Sequence, residues 1–332
     1  MKNILLVIAF AAQLAAQSIY SPSYPRWLKS ESVSSDQTSG ITYLRSVGGV
    51  KEFITADDIG FIRRIFLTND TLFTIKNLVF TDKAESFLKD FPKRDFEEIS
   101  VDKSTGKVYL SIEGNNPDFK KWVGIYQLSF LHDDIYNDTI CAIEKLKISP
   151  ESQLLEYTDN NIGFEGFSAD SKYFYAALEG FANDGLFVDS TFIYVIDKKS
   201  MSIVKSIPTK KLGIHTICGL YTISDCKLLA LDRNQRMLFM IQIDKKLNAK
   251  VLHSLELLPA IPDYTTLPYM MAVESVTMDE EQNIYLVDDP WKKMFRPEDK
   301  VFAKLDETAK QNFKNFVPII YKLSIKTLTK EK

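Results

Sequence analysis

The sequence predicts an all-β fold, a β-propeller of four-stranded blades, and three observations carry that expectation. A short motif recurs five times, each copy is followed by a second hydrophobic run ending in an acid, and two further β-rich runs complete most copies. The copies begin at Ser39, Glu97, Glu165, Cys218 and Glu274, at intervals of 58, 68, 53 and 56 residues. Such a period marks a repeat architecture, in which each unit buries its apolar faces against its neighbours.

The opening runs are SGITYLRS, EEISVDK, EGFSADS, CGLYTIS and ESVTMDE, and their partners are FITAD, YLSIE, YAALE, LLALD and YLVDD. Each is short and rich in β-branched and aromatic residues, as strands are. The second copy continues with VGIYQLSF and ICAIEKLKI, the third with TFIYVIDK and SIVKSIPT, the fourth with RMLFMIQID and KVLHSLEL. Polar turns such as Asp197-Lys198-Lys199 and Asp244-Lys245-Lys246 separate them. Four strands per copy is the repeat of a propeller blade.

The fifth copy has PIIYKLSI as its third strand and no evident fourth, so the segment from Tyr20 to Val33 is expected to supply it and close the ring. Closure removes exposed sheet edges. Five blades are expected, or six if the N-terminal segment or the stretch from Phe130 to Asn161 conceals a degenerate one. The stretch of about 290–316 breaks the pattern: Val301, Leu305, Ala309 and Phe313 recur every fourth residue, which predicts a helical insertion on the rim where the second strands end.

The chain has 332 residues, 45% hydrophobic and 26% charged, ample for a large core. It opens with MKNILLVIAFAAQLAAQ: Lys2, an apolar run from Ile4 to Ala12, then small residues at Ala15 and Ala16. This reads as a signal peptide over residues 1–17, followed by one propeller domain over 18–332 and export to the periplasm or the extracellular space. The absence of a cysteine at the cleavage point argues against a lipid anchor, and the remaining sequence lacks a run of the roughly 20 apolar residues a membrane helix needs. Cys141, Cys218 and Cys226 are too few for a disulfide scaffold. A net charge of −3 with scattered basic residues gives no field for nucleic acid. Asn69-Asp70-Thr71 and Asn137-Asp138-Thr139 match the glycosylation acceptor pattern, relevant in a eukaryote. A monomer is expected.

In a propeller the first strand of each blade lines the channel and the second returns beside it. First-strand starts (Ser39, Glu97, Glu165, Cys218, Glu274) and second-strand ends (Asp57, Glu113, Glu179, Asp232, Asp289) therefore meet at one mouth, joined by Asp58, Glu98 and Asp288. Clustered carboxylates raise one another's pKa, and a hard cation offsets the repulsion. Calcium accepts six to eight oxygens in flexible geometry. A Ca2+ (Ca²⁺) site is thus expected, with Glu97, Glu165 and Glu274 as ligands and Asp232, Glu113, Glu179 and Asp289 as further candidates. The same acids can instead cap backbone N–H groups between blades.

No GxSxG, HExxH or Walker-type loop occurs, which removes support for serine hydrolase, zincin or P-loop chemistry. His215, in the loop before Cys218, is a candidate general base, and Arg233 a candidate grip for a phosphate or carboxylate. A surface histidine and a blade-pairing arginine are the plain alternatives.

The runs FEEISVD with KVYLSIEGN, GFEGFSAD with YFYAALEG, CGLYTI with KLLALDRNQR, and VESVTMD with NIYLVDD resemble the blade motifs of the esterase-like phytase domain and of the related SdiA-regulated propeller proteins. The family wording is close to E-G-[IL]-[AS]-x-D followed by L-Y-x-[AV]-x-E/D, matched here from about Ser39 to Asp289. The resemblance implies an exported, calcium-associated propeller that hydrolyses phosphoesters or esters, and it carries the family's acid onto Glu97, Glu165 and Glu274. Ser39 and Cys218 depart at that place, and Glu98 and Ser275 replace the following glycine. Three functions are therefore expected in order: a Ca²⁺-dependent phosphoesterase, a non-catalytic propeller that binds a small-molecule, phosphorylated or protein partner over a structural calcium, and a lactone hydrolase of the gluconolactonase type.

Overall fold

The inner strands of five sheets touch one another in a closed cycle, Thr38–Val47 against Phe96–Asp102, then Phe164–Ala169, Gly219–Ser224, Val273–Met278 and back to Thr38–Val47. This computed structural model describes residues 19–21, 23–31, 33, 37–115, 117–181, 190–257, 272–289 and 299–329. The ring has five blades. The stretch from Phe130 to Asn161, where a sixth could have lain, holds a turn, the outer strand Thr139–Lys145 and the short helix Glu151–Leu154.

Blade 1 continues with Val50–Asp57, Ile62–Thr68 and Leu72–Asn77; blade 2 with Lys107–Ile112, Gly124–Phe130 and Thr139–Lys145. Val79–Phe80 adds a parallel fifth strand to blade 2, and a helix that the sequence reading passed over, Asp82–Leu88, buries Ala84 and Leu88 against the same blade. Blade 3 continues with Tyr173–Leu178, Phe192–Asp197 and Ser202–Pro208, and blade 4 with Lys227–Asp232, Met237–Ile243 and Ala249–Glu256.

Blade 5 contains Asn283–Asp288 and Ile319–Ser324, and its outer strand comes from the other end of the chain: Arg26 pairs with Ile320 and Trp27 with Ile319. The sheet edge left by the C-terminal strand is thus covered by the N-terminal segment. Leu28 is fully buried beside it, and Trp27 meets Phe313 edge to face at 4.8 Å. Phe313 belongs to the helix Glu307–Lys314, capped by Asp306, whose carboxylate accepts from the Ala309 amide. The expected helical insertion is two short helices, Asp299–Phe302 and Glu307–Lys314, and its first part, 290–298, lies outside the described residues, as does the signal segment 1–17.

The core is divided among the blade interfaces. Tyr175, Ile193 and Leu228 fill one, Ile54, Phe96 and Leu110 another, each fully buried. Each such side chain stabilises the fold by roughly 1.5–3 kcal/mol. At the far end from the acids, Asp170 and Asp279, the last residues of two motif copies, accept hydrogen bonds from Tyr175 Oη (2.6 Å) and Tyr285 Oη (3.1 Å). Lys198 of blade 3 pairs with Asp102 of blade 2, and Lys51 of blade 1 with Asp279 of blade 5. The motif aspartate is a blade-to-blade fastener. Among the described residues no helix is long and apolar enough to cross a membrane.

Candidate functional site: an acid-lined channel mouth

The motif glutamates owe their aim to an irregularity in the ladder. Register shifts fall between Phe96 and Ile99, Phe164 and Gly166, and Val273 and Ser275, at the start of three inner strands. An extra residue at such a bulge is freed from regular pairing and its side chain is redirected. Glu165 and Glu274 occupy those positions, and Glu97 with Glu98 the longer one. Blade 1 has the same shift between Thr38 and Gly40, with Ser39 in place of the acid.

Two groups of carboxylates result. One oxygen each from Glu113, Glu165 and Glu179 lie within 4.8 Å of one another, and the same holds for Asp58, Asp95 and Glu97. All but Asp58 are buried. Repulsion and burial act together on them. Burial first, then Glu113 and Asp58, push the Glu97 carboxyl well above its ordinary range, and burial with Asp95 and Glu165 does the same to Glu113. Burial raises Glu165 to about 7 and Glu274 to about 8 despite the pull of Arg233, and raises Asp95 to about 8 despite Lys93.

The protein supplies two cations of its own. One guanidinium nitrogen of Arg233 donates to both oxygens of Glu274, at 2.7 and 2.5 Å, while the other contacts Glu179 and lies 3.8 Å from Glu165. Lys93 donates to Asp58 at 2.5 Å and pairs with Asp95. Their reach is incomplete. Glu113 Oε1 and Glu165 Oε2 are buried without a hydrogen bond. A buried carboxylate oxygen with no donor is costly unless something positive stands before it.

The mouth is therefore polarised. Blades 2 and 3 supply the acids Glu97, Glu113, Glu165 and Glu179, blade 4 supplies Arg233, and blade 5 Glu274. The other expected positions have different tasks. Asp57 pairs with Arg63 and accepts from Thr38. Asp232 accepts from the amides of His215 (2.7 Å) and Gln235 (2.9 Å) and from Gln235 Nε2 (2.8 Å), so it is a loop cap. His215 meets the site only through that amide; its imidazole makes no hydrogen bond or ion pair with the acids among the described residues. Cys218 Sγ faces the carbonyls of Val273 (3.0 Å) and Leu231 (3.4 Å) in the blade interface. Asp288 accepts from the Ala272 amide at 3.1 Å, and Asp289 is buried with its own amide bonded to the Ala272 carbonyl.

Glu98 turns away from the mouth. Ser275 Oγ donates to both its oxygens (2.8 and 3.0 Å) and the Ile99 amide donates at 3.0 Å, with the backbones of Leu220 and Ile41 also turned to it. A side chain that meets the inner strands of blades 1, 2, 4 and 5 at once stands on the channel axis. It plugs the channel below the acids. The glycines of the motif permit this closeness: a Cβ on Gly40 would stand 2.4 Å from the Glu97 carbonyl oxygen, and one on Gly219 2.9 Å from Ser275 Cα.

Asp95 and Lys93 were missed by sequence reasoning because they precede the second motif in a loop. The only signal they offered was charge adjacent to FEEISVD.

No family model and no curated protein matches the chain. Among solved structures it is similar to the WD40 β-propeller domain of Doa1, at 8% identity and TM-score 0.42 over 92% of this chain and 99% of that one. It is also similar to an exo-β-1,3-galactanase from Phanerochaete chrysosporium, at 9% identity and TM-score 0.48 over 83% of this chain and 61% of that one. A luciferin-regenerating enzyme matches at 13% identity and TM-score 0.39 over 87% of this chain and 78% of that one. The five-bladed assignment rests on the strand pairing described above.

Proposed function

We propose that the acid-lined mouth binds a hard divalent cation, Ca²⁺, and that the protein is an exported propeller that takes an anionic, phosphorylated ligand at that mouth. The observation that carries this reading is the convergence of buried Glu113, Glu165 and Glu179, one oxygen of each within 4.8 Å of the others, with Glu113 Oε1 and Glu165 Oε2 buried without a hydrogen bond. The donor set suits the ion: carboxylate oxygens only, on strand ends that leave room for six to eight ligands. Glu97, Glu113, Glu165 and Glu179 would hold it, with Asp58 and Asp95 next to them. Bound there, Ca²⁺ would add to the positive charge of Arg233, which pairs with Glu179 and lies 3.8 Å from Glu165, and would offer a docking point for a phosphate.

The residues favour binding over turnover. Arg233, the candidate phosphate grip, spends its guanidinium on Glu274 and Glu179, and Lys93 spends its ammonium on Asp58 and Asp95. His215 does not reach the acids through its ring. A phosphoesterase would need one of these groups released toward the substrate, so hydrolysis is the narrower form of the proposal. A lactone hydrolase with an Asn-rich cation site is the weaker reading: Asn115 donates to Asp95 beside the acids, and carboxylates make up the two converging groups.

Calorimetric titration of the mature, chelator-treated protein with Ca²⁺ tests the reading. Saturable binding that is lost in Glu165→Gln and in Glu113→Gln, while Asp232→Asn affects stability alone, supports it. Absence of binding at millimolar Ca²⁺ overturns it and leaves the acids as caps. A phosphoester panel with and without EDTA then separates hydrolysis from binding.

A further inference from the structure

The opposite end of the channel carries a second cavity, of about 290 Å³, whose wall comes from the inner strands of blades 1 to 4. It lies beyond the Glu98 plug. Thr42, Ser100, Ser168 and Thr222 stand two residues along from Gly40, Glu98, Gly166 and Leu220, and the period of two turns them to the same side of their strands. Thr222 Oγ1 and Ser168 Oγ are bonded to each other at 3.0 Å. Thr42 and Ser100 are 5% and 8% exposed, and among the described residues their hydroxyls make no hydrogen bond. Both residues line the cavity, so their hydroxyls keep accessible surface there and are available to a ligand that enters it.

Charge decides what that ligand is. Both carboxylates at the cavity are consumed by turns. Asp170 takes the amides of Lys172 (2.8 Å), Tyr173 (2.7 Å) and Cys226 (2.9 Å) besides Tyr175 Oη, and Asp225 takes the amide and hydroxyl of Ser171 at 3.1 and 2.6 Å. Lys103 is left as the exposed cation at the rim. Its ammonium donates to Tyr221 Oη at 2.6 Å and sits 5.0 Å from that ring's centre, while Tyr221 Oη donates in turn to the Met278 carbonyl at 3.0 Å. The tyrosine thus fixes the lysine over the opening, with two N–H bonds still to spend.

We infer that this cavity binds a small hydroxylated oxyanion, of the sugar-phosphate or hydroxy-acid class. Lys103 takes the anionic end, and Ser100 and Thr42 take hydroxyls of the body. The volume, at the lower end of the roughly 300–1,000 Å³ usual for ligand sites, admits a molecule of that size and excludes a polymer. The site is independent of the acid-lined mouth, because Glu98 closes the channel between them.

Titration of the mature protein with glycerol 3-phosphate, D-gluconate and uncharged glycerol, read by calorimetry in the presence of EDTA, tests the inference. Saturable binding of at least one of the two anions, and none of glycerol, is expected. Lys103→Met should weaken it about tenfold or more, the cost of one charge-assisted hydrogen bond. Ser100→Ala should weaken it with an unchanged unfolding midpoint, and Glu165→Gln, at the other mouth, should leave it unaltered. Failure of both anions to bind at millimolar concentration, binding undiminished in Lys103→Met, or binding abolished in Glu165→Gln would each overturn it.

Discussion

Arg233 and Glu274, 41 residues apart in the chain, are joined by one guanidinium nitrogen that donates to both carboxylate oxygens, which ties blade 4 to blade 5 at the channel mouth. The same guanidinium neutralises Glu179, so it is the counter-charge on which the cation-free mouth depends. Arg233→Met is expected to destabilise the chelator-treated protein by about 3–5 kcal/mol, as removal of one partner from a buried ionic group does. Added Ca²⁺ should restore much of that loss. Denaturant unfolding with EDTA and with Ca²⁺ checks both parts, and an unchanged midpoint in EDTA refutes them.

The raised carboxyls give the mouth a pH signature. Glu165, Glu274 and Asp95 bind protons in the folded state up to about 7 and about 8, whereas the unfolded chain releases them near the ordinary carboxyl values. The folded state therefore holds more protons in that window, and stability falls as pH rises through it. For the cation-free protein the unfolding free energy should decline from about pH 5 to about pH 8. Saturating Ca²⁺ should flatten the decline, because the ion replaces the protons. A cation-free protein more stable at pH 8 than at pH 5 contradicts this.

Lys198 and Asp102 predict the opposite slope at acid pH. Burial raises the Asp102 carboxyl, but hydrogen bonds from Lys198, Ser104 and Thr105 outweigh it and hold the group below its ordinary value. Stability from this pair is present above the unfolded-state value and is lost as pH falls through the folded one. Lys198→Met leaves Asp102 buried without its cation and should cost about 3 kcal/mol at neutral pH. The variant should also lose part of the acid-limb slope, read by urea unfolding at a series of pH values.

Gly40→Ala tests why the motif carries glycine. The added Cβ would press on the Glu97 carbonyl and the Ile99 amide, 2.4 and 2.6 Å away, both backbone atoms that cannot swing aside. A destabilisation at the upper end of about 1–3 kcal/mol is expected, with the inner strands of blades 1 and 2 forced apart. Gly106→Ala probes a different cause, since its φ is +70° with nothing within 4 Å of the new Cβ. It should cost only about 1 kcal/mol of backbone strain. Equal losses at the two sites would remove the steric account of Gly40.

The repeat was legible because propeller blades are local: strands follow one another in sequence order as short hydrophobic runs, buried along most of their length in the inner strands, and the turns between them carry their own punctuation. The ring closure by Arg26 and Trp27 was legible too, as a strand missing from the fifth copy. The helix Asp82–Leu88 escaped notice because, at seven residues, it is too short to display a period.

The candidate site divides along a similar line. The sequence by itself determined that acids begin first strands and end second strands, and so that many would gather at one mouth. Which of them face a common space was decided by the tertiary structure alone. The bulges that free Glu97, Glu165 and Glu274 from the ladder and the use of Asp232 as a cap are settled by strand register and loop geometry within a blade, while the pairing of Lys93 with Asp58 and the turn of Glu98 toward Ser275 depend on contacts between blades. A repeat copies residue types from blade to blade, but electrostatics is settled by distances across the ring, and in this protein those distances set Arg233 of blade 4 between Glu179 of blade 3 and Glu274 of blade 5.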